Sequence, residues 1–201
     1  MIRLSDSTFR REEGCAGRSL ELSTFQRILL SSDGTMTNLL EEISRESLCA
    51  QKIFEEVGAT AFDIPELELL SGQLLWRRTV TLQGKLSGIN YLYAESLIAP
   101  ENLDGKFSDM LLKTKAPIGK MWDLFQVETY KSLVEWGEEC SGNTGKYFSI
   151  SENEALLYRT YRVFSRGKPV MRITEKFPRN WFRNIRFSPK DLFGEKLSAI
   201  N

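Results

Sequence analysis

Apolar residues recur at every second position in about six separate runs of this chain, and at helical spacing in only two regions. Period two sends successive side chains to opposite faces of a pleated strand, whereas i, i+3, i+4, i+7 spacing lays one stripe along a helix. The strand-like runs are 48–55, 73–83, 90–99, 127–136, 155–165 and 170–177, the last two joined by the turn Arg166-Gly167-Lys168-Pro169. Ser23, with Gln26 three residues on, is a capping-box signal that opens a short helix through Phe25, Ile28 and Leu29. Ser31-Ser32-Asp33-Gly34 breaks it, and Met36, Leu39, Leu40 and Ile43 mark a second helix starting near Thr35. In the other helical region Phe107, Met110 and Leu111 span a turn or two, and Pro117 opens a helix carrying Ile118, Met121, Trp122 and Phe125. This mixture reads as α+β: an antiparallel sheet with helices gathered at one side or end. Residues 1–21 read as a flexible arm, 22–181 as one domain and 182–201 as a basic tail.

Composition narrows the chemistry. A chain of 201 residues, 41% hydrophobic and 11% aromatic, can fill one core. It has no histidine, so no Ser-His or Cys-His dyad and no imidazole base or metal ligand can exist. The 27 basic and 27 acidic residues cancel, but residues 169–201 carry seven basic and three acidic, leaving the preceding part at 20 against 24. The basic end, including Arg179, Arg183, Arg186 and Lys190, reads as a solvated tail lying on the domain rather than a polyanion site. Cys15, Cys49 and Cys140 are far apart; they suit a reducing compartment and form neither a zinc pattern nor a disulfide framework. No apolar run approaches the ~18 residues of a membrane span and no signal design opens the chain. The expectation is a soluble, intracellular protein, cytoplasmic or, if plastid-derived, stromal, with no nucleic-acid partner and no membrane span.

Two strands carry charges on the wrong face. In 170–177, Glu175 shares a face with Met171, Ile173 and Phe177; in 74–82, Arg78 shares one with Trp76, Val80 and Leu82, while Arg77 points out. An unpaired buried charge costs several kcal/mol, so each needs a partner. They can pair with each other or with backbone, or sit on an exposed face. Alternatively they line a pocket for an anionic ligand, with Arg78 clamping a carboxylate and Glu175 taking a hydroxyl or a proton. Met36 and Ile118 fall in the first turns of helices, where backbone N–H groups lack partners and favour carboxylates; Pro117 has no N–H, which leaves those of Ile118 and Gly119. Each also reads simply as an apolar anchor. Walker A, GxGxxG and GxSxG patterns are absent, and Glu12-Glu13, Glu41-Glu42 and Glu138-Glu139 read as solvated pairs. Tyr158, Arg159, Tyr161 and Arg162 resemble an aromatic-basic RNA face, though strand alternation explains them equally.

Taken together, the motifs resemble the chorismate lyase (chorismate pyruvate-lyase) family, in particular its archaeal, cyanobacterial and plastid branch. Gly167-Lys168-Pro169, then Thr174-Glu175 and Phe177-x-Pro, resembles the run that carries the family's active-site glutamate. Pro117-Ile118-Gly119-Lys120 is similar to its Pro-Leu-Gly-Arg segment, Trp76-Arg77-Arg78 to its Trp-x-Arg strand, and Asp33-Gly34-Thr35-Met36-Thr37 to its Asp-Ser-Met-Thr helix start. The likeness spans about residues 22–181, with the motifs in the same order. It implies helical flaps over an internal ligand pocket and cofactor-free, metal-free conversion of chorismate to 4-hydroxybenzoate and pyruvate. It also implies that Arg78 and Glu175 are catalytic and that Met36, Ile118, Gly119 and Lys120 join them in binding substrate. An arginine of bacterial lyases is replaced by Ser96, beside Glu95, and Lys120 is the candidate for the missing charge. Two other classes compete. One is a non-catalytic domain related to transcription-regulator effector domains, binding an aromatic or sugar acid. The other is an interaction protein with no pocket and with Arg78 touching Glu175.

Overall fold

The structure, a computed structural model, describes residues 8–11, 22–114 and 116–182. The period-two runs form strands β2 (Leu48–Ala59), β3 (Leu74–Gly84), β4 (Asn90–Ile98), β5 (Tyr130–Cys140), β6 (Ala155–Ser165) and β7 (Lys168–Pro178). A further strand, β1 (Thr8–Arg11), joins them in one seven-stranded sheet of order β1-β5-β6-β7-β4-β3-β2. All neighbours are antiparallel except β1, which runs parallel to β5 and pairs Thr8–Arg11 with Glu135–Glu138. β1 lies within the segment expected to be an arm. Its Thr-Phe-Arg-Arg sequence has no apolar alternation, so nothing local marked it; backbone groups at a sheet edge can recruit such a segment without side-chain pattern.

The expected helices form as α1 (Thr24–Ser31), α2 (Met36–Ser44), α3 (Gly105–Lys113) and α4 (Ile118–Leu124). The capping box at the start of α1 is closed, Ser23 Oγ accepting from the Gln26 N–H at 3.2 Å and Gln26 Oε1 from the Ser23 N–H at 2.9 Å. All four helices cover one face of the sheet as two lids. Phe25, Leu29, Met36 and Leu40 of α1 and α2 pack on Val80, Leu82, Leu92, Ala94 and Phe177. Phe107, Leu111, Met121 and Trp122 of α3 and α4 pack on Trp76, Ile98, Val163, Met171 and Ile173, with the Phe107 and Trp122 rings stacked at 4.2 Å. An unexpected single turn, α5 (Gly145–Phe148), lies on the other face, where Tyr147 stacks on Tyr93 at 5.4 Å. Among the described residues no helix is long and apolar enough to cross a membrane.

Burial corrects three readings of charge and sulfur. Arg179 belongs to the packed domain, not to a solvated tail: it is buried beside buried Glu138, Nη1 to Oε1 3.3 Å. Glu138 sits there because its register opposite Leu157 turns it to the same sheet face as Arg159 and Tyr161. Cys140 is disulfide-bonded, whereas Cys49 is a free thiol, so the cysteines are not uniformly reduced. The tail from residue 183 lies outside the described residues.

Glu46, just after α2, ties the first lid to the β3–β4 turn. Its carboxylate accepts from the Leu86 N–H at 2.8 Å, the Ser87 N–H at 3.0 Å, the Ser87 hydroxyl at 2.6 Å and the Tyr91 hydroxyl at 2.9 Å. These bonds, the Ser87 hydroxyl first among them, pull its pKa down to about 2. A depressed carboxyl stabilises the fold fully above its ordinary value near 4.5, and that contribution is lost as pH falls through about 2. Glu46→Gln is therefore expected to lower the melting temperature at neutral pH and to flatten its fall between those two pH values. A mutant whose acid limb parallels the wild type would place the sensitivity elsewhere.

Candidate active site

The covered face of the four central strands is a grid set by register. One rung runs Arg78 (β3), Ser96 (β4), Ile173 (β7), Tyr161 (β6); the next runs Val80, Ala94, Glu175, Arg159. The middle strand thus offers its smallest residues, Ala94 and Ser96, beside the two charges flagged in the sequence. A cavity opens above them, in the seam between the two lids, lined among others by Arg78, Ala94, Ser96, Tyr161, Ile173 and Glu175. Arg78 and Glu175 are two strand spacings and one rung apart, roughly 12 Å between their backbones. They flank the cavity and leave it open between them, so the pocketless alternative with Arg78 touching Glu175 does not hold.

Glu175 is held by two side chains that the sequence reading left as ordinary strand residues. Arg159 Nε donates to its Oε2 at 2.7 Å and the Tyr161 hydroxyl to its Oε1 at 2.9 Å. Arg159 also donates through Nη1 to the Ser32 carbonyl at 2.6 Å, joining the sheet to the loop between α1 and α2. Burial, and then the neighbouring Glu175 charge, push the Tyr161 hydroxyl well above its ordinary range, which keeps it a donor. A carboxylate has about four acceptor sites, so Glu175 keeps capacity to bind a ligand. The available signal was register: Arg159, Tyr161 and Val163 alternate on one face of β6, and a hairpin pairing sets Arg159 opposite Glu175.

Arg78 is 4% exposed, and its partner is Glu55, Nε to Oε1 3.6 Å, too long for a hydrogen bond. Its Nε and Nη2 have no hydrogen-bond partner among the described residues. Burial lowers its pKa, opposed by the Glu55 charge. Strict alternation along β2 would put Glu55 on the opposite face. A bulge between Lys52 and Phe54 shifts the register, pairs Glu55 with Arg78, and turns Phe54 outward to 49% exposure.

The lids bring their helix starts to the cavity. Thr35, Met36 and Thr37 line it from α2, and Pro117, Ile118 and Gly119 from α4. No side chain caps either helix, so first-turn N–H groups remain available there. Lys120 does not join them. It is bound to Glu41, Nζ to Oε1 2.6 Å, and lines an outer groove with Leu48, Gln83 and Lys85. Burial works against ionisation of Glu41, but the bonds from Lys120 and the Leu48 N–H prevail and hold its carboxyl below the ordinary range. Two residues after Ile118, about half a helical turn on, Lys120 points away from the cavity that Ile118 and Gly119 line. The cation that does line the cavity is Lys131 of β5, a residue without a sequence signal of its own.

Comparison with known proteins places the geometry. The model of the family "Chorismate pyruvate-lyase Rv2949c-like" matches residues 30–184. The chain is 31% identical over 182 residues to the chorismate pyruvate-lyase of Mycobacterium leprae, covering 90% of this chain and 84% of that protein. It is 29% identical over 163 residues to that of Mycobacterium tuberculosis strain H37Rv, covering 79% and 81%. Among solved structures it is similar to the effector domain of PhnF from Mycobacterium smegmatis, with TM-score 0.55, 8% identity, and 72% and 88% of the two chains covered. It is also similar to the C-terminal domain of the histidine utilization repressor from Pseudomonas syringae, with TM-score 0.50, 15% identity, and 70% and 99% covered. At such identities the structural likeness speaks for the fold alone.

The lids meet at Gly119. A Cβ there would lie 2.3 Å from Thr35 Cγ2, inside any real contact distance, and threonine's short branched side chain has little room to yield. Gly119→Ala is expected to wedge the lids apart, cutting turnover of the cavity's ligand about tenfold or more while the sheet core stays intact. Steady-state rates beside a melting curve check this; wild-type turnover in Gly119→Ala would show that lid contact is dispensable.

Proposed function

The chain belongs to the Rv2949c-like chorismate pyruvate-lyase family, and from that premise we propose how its cavity performs the reaction. It is a chorismate lyase: it converts chorismate to 4-hydroxybenzoate and pyruvate. The ether bond between ring and enolpyruvyl group breaks, the ring carbon bearing the hydroxyl loses its hydrogen as a proton, and the ring becomes aromatic. The released enolpyruvate takes up a proton and becomes pyruvate, so the atoms balance. Aromatisation makes the reaction downhill, and the protein's work is to hold a dianion in the reacting conformer and stabilise the departing oxygen.

The observation that carries the assignment of roles is a buried, incompletely hydrogen-bonded Arg78 facing a buried Glu175 across a cavity floored by Ala94 and Ser96. In this proposal Arg78 binds the ring carboxylate with its open donors. Glu175, oriented by Arg159 and Tyr161, accepts from the ring hydroxyl and helps remove the neighbouring proton. The first-turn N–H groups of Met36, Ile118 and Gly119 receive the enolpyruvyl end and its developing negative charge. A dianion does not cross a bilayer unaided, so the protein shares a compartment with its substrate, which we read as the cytoplasm, or the stroma if the chain is plastid-derived.

Arg78→Ala and Glu175→Gln are each expected to lower turnover by about 100-fold or more. The glutamine keeps an acceptor for Arg159, so the fold should survive. Incubating purified protein with chorismate, and following 4-hydroxybenzoate absorbance together with pyruvate, checks both. Near-wild-type rates in the two variants would move the site elsewhere in the molecule.

A further inference from the structure

We propose that Lys131 is the second cation of this site: it binds the substrate carboxylate that Arg78 does not, and so selects for a dianion. The inference rests on the reading of the cavity as the chorismate site. Among the described residues lining the cavity, the cationic side chains are Arg78 and Lys131. The other nearby candidates are committed. Arg159 spends Nε on Glu175 and Nη1 on the Ser32 carbonyl; its Nη2 is open but Arg159 is not among the residues lining the cavity, and Lys120 is paired with Glu41 beside the outer groove. Ser96, where the family resemblance leads one to expect an arginine, is neutral, so one carboxylate of a dianion would otherwise face the cavity without a side-chain counter-charge.

Lys131 is placed for that role. It lies on β5 opposite Val163, on the covered face, and is half-buried. Its Nζ donates to the Gly34 carbonyl at 2.9 Å and stands 5.7 Å from the centre of the Tyr161 ring, whose hydroxyl holds Glu175. An ammonium has three donors, so two remain for a ligand. Burial lowers the pKa of Lys131, with Glu175, Asp33 and Asp123 opposing that shift and Arg159 adding to it. An arriving carboxylate would join the acids in holding its proton. Lys131 on β5 is four strand spacings and one rung from Arg78 on β3, about 20 Å between their backbones. Two extended side chains reaching inward by roughly 6 Å each leave about 8 Å between charged ends, a gap that a ring carboxylate and a second carboxylate carried on an ether arm can bridge. Gly34 lies just before α2, so the same ammonium would join the bound carboxylate to the lid that carries Met36.

The comparison of a dianion with a monoanion tests this. 4-Hydroxybenzoate keeps the ring carboxylate and lacks the other. Lys131→Met is expected to raise KM for chorismate roughly 10- to 100-fold, while the inhibition constant of 4-hydroxybenzoate moves by no more than about twofold. Lys131→Arg should recover most of the loss. If the methionine variant fails to melt cooperatively, Lys131→Gln takes its place in the same comparison. Equal weakening of both ligands would make Lys131 a strut to Gly34 only, and no change in either would leave it without a role; both outcomes overturn the inference. Arg78→Ala serves as the reference. If it leaves 4-hydroxybenzoate inhibition intact, the reading of the cavity itself fails, whereas its loss there together with an unselective Lys131 variant fails the inference alone.

Discussion

A carboxylate buried to 6% exposure and a guanidinium buried to 2%, joined at 2.7 Å, hold this site together. Glu175 and Arg159 are cross-strand neighbours on β7 and β6, and removing one partner of such a buried pair costs about 3–5 kcal/mol because it leaves the other charge buried without compensation. Tyr161 takes the other carboxylate oxygen and Ser32 takes a second guanidinium nitrogen, so one buried network spans two strands and the loop of the first lid. The Glu175 carboxylate is therefore oriented before any ligand arrives. Preorganisation of this kind lets a protein without histidine act on a substrate whose own chemistry is downhill.

The cavity exists because β4 is small where its neighbours are large and charged. Ala94 and Ser96 form the floor, Arg78 and Glu175 rise on either side, and the lids close over them. Each lid has its own apolar cluster, so each can pack on the sheet without filling the seam between them. Uncapped helix starts line that seam, an arrangement that leaves backbone donors available there. The sheet supplies fixed charges and the lids supply backbone dipoles.

Much of this was legible before any coordinates. Period two and period 3.6 marked six strands and four helices, the Ser23–Gln26 cap marked the start of α1, and Arg78 and Glu175 declared themselves as charges in apolar alternation. The resemblance, carried by Pro117-Ile118-Gly119 and Thr174-Glu175-x-Phe177-Pro178, led to the same family that the comparisons show. It misled at Lys120, because a motif position fixes a place in sequence but not which side of a short helix reaches the cavity. β1 and α5 went unseen, being too short to show a period.

By itself the sequence determined which residues share a strand face, and hence that two opposite charges lie among apolar neighbours; that this face is covered came from the structure. Side-chain alternation is a local property of the backbone, and it survives without knowledge of partners. Who shelters those charges was decided only by tertiary structure. Strand order set Arg159 beside Glu175, a single-residue bulge in β2 brought Glu55 round to Arg78, and β5 delivered Lys131 to a cavity far from it in sequence. Pairing across strands depends on register, and register is a property of the assembled sheet rather than of any one segment.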